Sequence, residues 1–147
     1  MRDPRRVAVL ISGRGSNMRA LVEQASGYDV VLVGSNRPGA DGLAWARSRG
    51  LPTWCWDSRR VPRGEFDAAV SKALDDHRVG TVALAGYMRI LSPALVGAWR
   101  GRIVNIHPSL LPRYRGLDTH ARALAAGDTV AGCSVHLVTV ELDAGEV

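Results

Sequence analysis

The stretch Val7-Ala-Val-Leu-Ile-Ser-Gly-Arg-Gly-Ser-Asn17 decides the fold of this 147-residue chain. Its first five residues form a continuous apolar run, which is typical of a parallel β-strand buried on both faces. Two glycines then turn the chain, and we expect Ser16 to cap a helix that carries Met18 and Leu21 on its apolar face. The stretch therefore predicts a strand–turn–helix unit, the repeating element of α/β sheets.

The rest of the chain repeats this alternation. Further strands are predicted at 30–33, 53–56, 81–85, 102–106 and 132–140, and helices at 40–49, 65–77, just after Ser92 and at 119–126. We therefore predict a single α/β domain, 1–147, built on an open, mostly parallel Rossmann-like sheet flanked by helices. Such sheets bind ligands beyond the carboxyl ends of their strands, so the loops after the first, fourth, fifth and sixth strands are the candidate functional loops.

The composition is that of a globular protein, with 46% hydrophobic and 22% charged residues. It excludes a disordered, collagen-like or coiled-coil chain. The apolar runs are far shorter than a membrane span and too short for a secretory signal, so we expect a cytoplasmic protein with no membrane partner. The net charge is +5, and its 19 basic residues, of which only Lys72 is a lysine, are scattered along the chain. This scatter indicates a solvated surface and no nucleic-acid partner.

Cysteines and histidines show no metal-site spacing. Cys55 and Cys133 lie far apart in the sequence, and we expect two small, buried side chains there. The four histidines lack the HExxH or HxH spacing of metal ligands. The sequence therefore predicts no metal.

The loop Ser12-Gly-Arg-Gly-Ser-Asn17 is the first candidate site because it joins a strand to a helix N-terminus through two glycines. Glycines let backbone N–H groups turn towards an anion, and the helix N-terminus attracts negative charge. The loop lacks both the Gly-Lys-Ser/Thr of a Walker A motif and the third glycine of GxGxxG. A monophosphate therefore suits it better than a pyrophosphate, and a plain strand-to-helix turn is equally compatible with these residues.

The second candidate is Asn105-Ile-His-Pro-Ser-Leu-Leu-Pro112. Asn105 and His107 are two apart in a strand, so their side chains point to the same side. An amide donor and an imidazole at the carboxyl end of a strand can stabilise one developing oxyanion, whereas a lone histidine more often ties down a loop. Two prolines stiffen the segment that follows, and the Leu111–Pro112 bond is a candidate for the cis form.

Asp143 is the third candidate, in the loop after the sixth strand. Asp before Ala-Gly is most often a turn residue. A carboxylate at this place could also face His107 across the end of the sheet and stabilise its imidazolium form. Ser134 and His136, inside the sixth strand, are interpreted as supporting residues, with His136 buried and hydrogen-bonded.

Four segments resemble, in the same order, those of the phosphoribosylglycinamide formyltransferase family, folate-dependent enzymes of purine synthesis. They are residues 10–17, 84–93, 105–116 and 134–145. The Asn-x-His…Asp set is shared by the wider formyltransferase superfamily, whereas the Ser-Gly-x-Gly-Ser-Asn loop points to the glycinamide ribonucleotide enzymes within it. The resemblance runs from residue 7 to the end of the sequence and implies a formyltransferase-like fold.

The resemblance implies transfer of a formyl group from the co-substrate 10-formyltetrahydrofolate to the amine of N1-(5-phospho-D-ribosyl)glycinamide, here called glycinamide ribonucleotide. The product, formylglycinamide ribonucleotide, belongs to de novo purine (IMP) biosynthesis. By this resemblance His107, as imidazolium, stabilises the oxyanion and protonates the leaving folate nitrogen. Asn105 donates a hydrogen bond to the same oxygen, and Asp143 supports the charge of His107 and relays a proton through water. Small-molecule substrates are thus the expected partners, a homodimer is allowed, and no metal is implied.

The resemblance also implies binding residues. The matching positions are Gly15, Ser16 and Asn17 for the substrate phosphate, Gly86 and Pro108 for the substrate cleft, and Arg63, Met88, Arg89, Ile90, Leu91 and Asn105 for the folate. Backbone groups of 88–91 would hydrogen-bond the pterin, and the match of Arg63 lies in a variable loop. Arg14 departs from the family pattern by adding a charge beside the phosphate. Family chains continue for several dozen residues beyond Asp143, so we expect this sequence to lack the C-terminal strands and helix.

The sequence leaves three other functions to consider. Tyr114-Arg115-Gly116 is closer to relatives that formylate transfer RNA, so another 10-formyltetrahydrofolate enzyme stays open: a transfer-RNA or amino-sugar formyltransferase, or a formyltetrahydrofolate hydrolase. A binding module that keeps the sheet without turnover is the second alternative. A generic Rossmann nucleotide binder is disfavoured because Asn36-Arg37, and no acidic residue, follows the second strand.

Overall fold

The structure is a computed structural model that describes residues 2–147. Its strands are β1 (Arg6–Ile11), β2 (Asp29–Ser35), β3 (Thr53–Cys55), β4 (Thr81–Leu84), β5 (Ile103–His107) and β6 (Ser134–Leu137). Its helices are α1 (Ser16–Glu23), α2 (Asp41–Ser48), α3 (Arg63–Asp76), α4 (Pro93–Ala98) and α5 (Thr119–Ala125). Within residues 2–147, none of these helices has the length and apolarity needed to cross a bilayer.

The six strands form one sheet in the order β3-β2-β1-β4-β5-β6. All neighbouring strands pair in parallel except β5 and β6, which are antiparallel. The predicted open, mostly parallel α/β sheet is therefore confirmed. The strand order reverses between β1 and β4, so the loops that follow these two strands diverge there and leave room for a ligand at the carboxyl edge of the sheet.

Both faces of the sheet are buried, as the apolar run of β1 predicted. Ala8 and Leu10 face a core that contains Phe66 of α3 and Trp99, which follows α4. Val9 and Ile11 face the opposite core, where Met18 of α1 and Leu43 of α2 cover the sheet. Burial of each such side chain contributes about 1.5–3 kcal/mol to the free energy of folding. The central strand is therefore rigid, and the position of its carboxyl end is well defined.

The start of α1 differs from the prediction. The N-cap residue is Gly15, with φ 72°, and Ser16 is already inside the helix, so the predicted serine cap is wrong. The cause is the close approach of neighbouring atoms, because a Cβ on Gly15 would lie 2.8 Å from Met18 Cε and 3.4 Å from Gly42 Cα. Only glycine allows both this contact and the left-handed backbone.

Two further predictions need correction. The sixth strand was expected over 132–140 but is shorter, because the chain folds back and the Leu137 N–H donates to the Glu146 carbonyl at 2.8 Å. Cys133 is exposed and Cys55 is half-buried, so the expectation of two buried cysteines is wrong. The exposure of Cys133 follows from its place at the start of an edge strand.

Candidate active site

His107 and Asp143 form a buried pair at the carboxyl edge of the sheet. His107 is the last residue of β5, and Asp143 lies in the loop that follows β6. His107 Nδ1 is 3.4 Å from Asp143 Oδ2. Strand β6 runs antiparallel beside β5 and so brings these two distant residues together. Asp143 therefore faces His107 across the end of the sheet, as the sequence suggested it could.

The Asp143 carboxylate lies beside three groups. Besides His107, its Oδ2 accepts a hydrogen bond from the Gly116 N–H at 2.9 Å, and its Oδ1 lies 3.4 Å from His136 Nε2. Asp143 is 8% exposed and adopts a left-handed backbone with φ 52°. A buried carboxylate that accepts a backbone N–H bond beside two imidazoles is well placed to remain charged and to attract a proton to one of them.

His107 faces acceptors with both ring nitrogens. Its Nε2 lies 2.7 Å from the carbonyl oxygen of Tyr114, opposite the Nδ1 contact with Asp143. A carbonyl oxygen can only accept, so Nε2 carries a proton in this arrangement. The surroundings of the ring thus offer a hydrogen-bond acceptor to each of its two nitrogens.

His136 orients Asn105. The two residues are register partners in the β5–β6 ladder, and Asn105 Nδ2 lies 3.3 Å from His136 Nε2. The other ring nitrogen, Nδ1, is 3.0 Å from the carbonyl of Leu137. A neutral His136 therefore donates from Nδ1 to Leu137 and accepts the Asn105 amide at Nε2, which fixes the direction of that amide.

Ser134 ties the segment after β5 to β6. Its buried hydroxyl donates to the Ser109 carbonyl at 2.8 Å and accepts from the Leu111 N–H at 3.0 Å. The Leu111–Pro112 peptide bond is cis, the form for which the sequence made it a candidate. Pro108, the predicted cleft residue in this segment, is exposed.

The glycine loop after β1 lies beside an open hollow. Ser16 and Asn17 are exposed in the first turn of α1, where backbone N–H groups have no intrahelical acceptor. The hollow has a volume of about 320 Å³ and is lined by Ser12, Gly13, Arg14, Arg37, Gly39, Ala40 and Asp41. Two guanidinium groups and a helix N-terminus make this part of the surface attractive to an anion.

The segment after β4 presents backbone and apolar side chains. Gly86 turns the chain with φ 73°, and the side chains of Met88 and Ile90 are 59% and 57% exposed. Arg89 instead turns inward, donating to the carbonyls of Ser58 and Val61 at 3.3 and 3.2 Å. Its guanidinium carbon lies 4.6 Å from the centre of the Phe66 ring. The segment is thus fixed by Arg89 and by Tyr87 and Leu91, which pack against the core, while Met88 and Ile90 are free to cover a ligand.

Arg63 stands apart from the other candidates. It is exposed at the first turn of α3, and no hydrogen bond within residues 2–147 joins it to them. In the same part of the chain, no group of three or more His, Cys, Asp or Glu side chains is suited to hold a metal ion.

Sequence analysis missed two features of this site. One is the contact between the Tyr114 carbonyl and His107. It depends on the left-handed backbone of Tyr114, with φ 56°, which a tyrosine gives no reason to expect. The other is the hydrogen bonding of Ser12 and Asn36, both 4% exposed. A signal for the second existed, since each of these polar residues follows directly on a buried apolar strand.

The sequence of the chain is similar to that of a known protein family and of several known proteins. The family model described as "Formyl transferase" matches residues 5–147. Over 147 residues the chain is 46% identical to the trifunctional purine biosynthetic protein adenosine-3 of Gallus gallus, covering 97% of this chain and 15% of that protein. It is 44% identical over 150 residues to phosphoribosylglycinamide formyltransferase of Escherichia coli K12, covering 96% of this chain and 69% of the relative.

Solved structures agree with these matches. The phosphoribosylglycinamide formyltransferase of Coxiella burnetii superposes with a TM-score of 0.90 at 44% identity, covering 97% of this chain and 69% of that one. Glycinamide ribonucleotide transformylase 1 of Geobacillus kaustophilus superposes with a TM-score of 0.92 at 36% identity, covering 96% and 78%. The chain thus spans about two thirds to three quarters of the bacterial relatives and a small part of the trifunctional protein.

Proposed function

We propose a function on the premise that the chain belongs to the formyl transferase family, whose model matches residues 5–147. The chain transfers the formyl group of 10-formyltetrahydrofolate to the amine of glycinamide ribonucleotide, acting as a single catalytic domain. The observation that carries this proposal is the buried pair of His107 and Asp143, 3.4 Å apart, beside Asn105 at the carboxyl edge of the sheet.

The reaction needs positive charge at one oxygen and a proton at one nitrogen. The substrate amine forms a bond to the formyl carbon, and the carbonyl electrons move to the oxygen as an oxyanion. Asn105 and the cationic His107 donate hydrogen bonds to that oxygen. When the intermediate collapses, the bond between the formyl carbon and the folate nitrogen breaks, and His107 gives its proton to that nitrogen.

Asp143 restores the proton. The attacking amine carries one proton more than the amide product needs, and this proton passes through Asp143 and a water molecule to Nε2 of His107, the ring nitrogen that gave one up. The Gly116 N–H, which donates to Asp143 Oδ2 at 2.9 Å, holds the carboxylate in place for this task. Atoms and charges then balance, with tetrahydrofolate and formylglycinamide ribonucleotide as products.

The Tyr114 carbonyl sets a condition on this mechanism. It occupies His107 Nε2 at 2.7 Å, and the His107 side chain is 5% exposed. The substrate oxygen must replace this carbonyl to accept a hydrogen bond from Nε2. Substrate binding therefore requires the segment 108–118 to shift away from His107.

The binding sites follow from the two other loops. Gly15, Ser16 and Asn17 bind the substrate phosphate through backbone N–H groups at the start of α1, and Arg14 and Arg37 add positive charge from the adjoining hollow. Backbone groups of Met88 to Leu91 bind the pterin, with exposed Met88 and Ile90 as apolar cover. Gly86 and Pro108 line the cleft between the two sites, and Arg63 approaches the folate from the start of α3.

The test compares several formyl acceptors in the presence of the same formyl donor. The protein is given 10-formyltetrahydrofolate together with glycinamide ribonucleotide, an aminoacylated transfer RNA, an amino-sugar nucleotide or water alone, and tetrahydrofolate release is followed. We expect release that depends on glycinamide ribonucleotide. Equal release with water alone would identify a hydrolase and contradict the proposal, and preference for either other acceptor would reassign the substrate.

A further inference from the structure

A closed ring of hydrogen bonds joins the carboxyl ends of β1 and β2 to the segments 57–62 and 86–91. Ser12 Oγ donates to Asn36 Oδ1 at 2.6 Å, and Asn36 Nδ2 donates to Ser58 Oγ at 3.2 Å. Arg89 Nη1 donates to the Ser58 carbonyl at 3.3 Å, and the Met88 N–H donates to Ser12 Oγ at 2.7 Å. We call these five residues the Ser12 ring.

The proton arrangement of the ring is determined by its members. Met88 offers only an N–H to Ser12 Oγ, so the single hydroxyl proton of Ser12 is free to point at Asn36. If the Asn36 amide were turned round, Ser12 Oγ would receive two donors and its own proton would lose its acceptor. The observed amide direction therefore gives the Ser12 hydroxyl proton and one Asn36 amide proton an acceptor, as expected for groups that are 4% exposed.

Backbone contacts reinforce the same connections. The Ser12 N–H donates to the Gly86 carbonyl at 3.2 Å, and the Ser58 N–H donates to the Asn36 carbonyl at 3.1 Å. Ser12 and Ser58 are thus each paired twice with a neighbouring segment, once through the backbone N–H and once through the hydroxyl.

Tyr87 and Leu91 pack against the core, whereas the backbone at Met88, between them, depends on the ring. Met88 and Ile90 are 59% and 57% exposed, so they contribute little buried area to hold the backbone. Among the residues described, Ser12 is the hydrogen-bond acceptor for the Met88 N–H. Removing the Ser12 hydroxyl therefore frees the backbone at the point where the proposed folate contacts begin.

We propose that Ser12 and Asn36 are positioning residues that hold the folate segment 86–91 in register with the phosphate loop 13–17. This inference rests on the proposed function, since it names the structural link between the two substrate sites. Ser12 is the residue immediately before the phosphate loop and also binds Met88 of the folate segment. Asn36 contacts neither loop itself and acts through the hydroxyl that it orients.

The kinetic test uses single and double variants of the full chain. Ser12→Ala and Asn36→Ala should each raise the KM for 10-formyltetrahydrofolate about tenfold, because a small displacement of a binding segment is costly. The double variant should be no worse than either single variant, since breaking one link opens the ring. Ser12→Thr keeps the hydroxyl, its methyl group has room in the hollow that Ser12 lines, and it should restore the KM.

Ser35→Ala is the matched control. Ser35 is 1% exposed, directly precedes Asn36, and makes local hydrogen bonds to Arg37 at 3.0 and 3.2 Å outside the ring. It therefore loses a buried serine hydroxyl at the same edge of the sheet, with a comparable change in stability. A purely structural role for Ser12 predicts equal kinetics for the Ser12→Ala and Ser35→Ala variants, and this result would overturn the proposal.

Amide hydrogen exchange tests the ring without turnover. In Asn36→Ala, the Met88 amide should exchange about tenfold faster than in the wild type, although Asn36 does not touch Met88. Ser35→Ala should leave that amide protected. Unchanged exchange of Met88 in Asn36→Ala would refute the ring. A wild type without formyl transfer but with this exchange pattern would refute the proposed function and leave the positioning of 86–91 supported.

Discussion

His107 Nδ1 lies 3.4 Å from Asp143 Oδ2, and the two side chains are 5% and 6% exposed. This contact joins the end of β5 to the loop after β6, two parts of the chain that are distant in sequence. Removing one partner of such a buried pair leaves the other without compensation. The pair therefore links the proposed chemistry to the geometry of two loops, and its disruption should affect catalysis more than substrate binding.

Asp143→Asn should lower kcat by about a hundredfold or more, because the neutral amide cannot stabilise a cationic His107 although it still accepts the Gly116 N–H. The KM values should change little. Steady-state kinetics with both substrates measure the effect. Asp128→Asn is the control, since Asp128 accepts a hydrogen bond from the Tyr114 hydroxyl and does not contact His107. Equal kcat values for the two variants would contradict the role of Asp143.

His136→Leu should lower kcat about tenfold, since Asn105 loses the partner that fixes its amide and Asp143 loses one neighbour. The effect should be smaller than that of Asp143→Asn, because His136 acts through the other residues. Val135→Thr, a change at a 52% exposed position of the same strand, is the control. A kcat as low as that of Asp143→Asn would instead make His136 a direct participant.

Gly15→Ala should destabilise the protein by about 1–2 kcal/mol, the cost of a left-handed backbone for a residue with a Cβ. The new methyl group would also lie 2.8 Å from Met18 Cε, so the start of α1 must move and the KM for glycinamide ribonucleotide should rise. Urea unfolding and steady-state kinetics measure the two effects.

Gly13→Ala is the control for this change. A Cβ on Gly13 would meet no atom of the described chain within 4 Å, and its φ lies outside the left-handed region. Its free energy of unfolding should stay within about 0.5 kcal/mol of the wild type. If both alanine variants were equally stable, the strain assigned to Gly15 would be refuted.

Tyr87 should make the protein sensitive to alkali. Burial, and then the nearby charge of Asp67, raise the pKa of the Tyr87 phenol well above its usual value of 10.0. As the pH rises past about 10, the unfolded chain releases this proton first and is stabilised relative to the folded chain. The free energy of unfolding should therefore fall from about pH 10 upward until the phenol of the folded protein also ionises.

Tyr87→Phe should reduce this alkaline loss of stability and remove the late phenolate absorbance change of Tyr87, while the hydrogen bond to Asp128, which raises the pKa of Tyr114, leaves a smaller loss. Within residues 2–147 the Tyr87 hydroxyl has no hydrogen-bond partner, so the variant should be at least as stable as the wild type at neutral pH. Tyr28→Phe is the control, and its free energy of unfolding should still fall at alkaline pH. Identical stability–pH curves for wild type and Tyr87→Phe would refute this origin.

Much of the fold could be predicted because β1 is apolar at successive positions and because Gly50 and Gly127 directly follow the caps of α2 and α5. Burial of Val9 and Leu10 on opposite faces follows directly from that pattern. The antiparallel direction of β6 could not be predicted, since it depends on the path of 108–133 and not on the residues of Ser134–Leu137. The cap of α1 failed because a packing contact between Gly15 and Met18 outweighed the local preference of serine.

The site was predictable to the extent that strand periodicity placed Asn105 and His107 on one side. Tertiary structure decided the rest. The Tyr114 carbonyl contacts His107, and Ser12 contacts Asn36 and Met88. Nothing in the sequences of these segments predicts that they meet.

Formyl transfer by wild type and His107→Ala tests the central claim most directly. The protein is given 10-formyltetrahydrofolate and glycinamide ribonucleotide, and Asp128→Asn serves as a second control for folding. Wild type and control should turn over, and His107→Ala should be slower by about a hundredfold or more with both substrates still bound. Turnover of His107→Ala at the wild-type rate would contradict the account, because the other imidazole that lies beside Asp143 in the described chain, that of His136, has its Nε2 paired with Asn105.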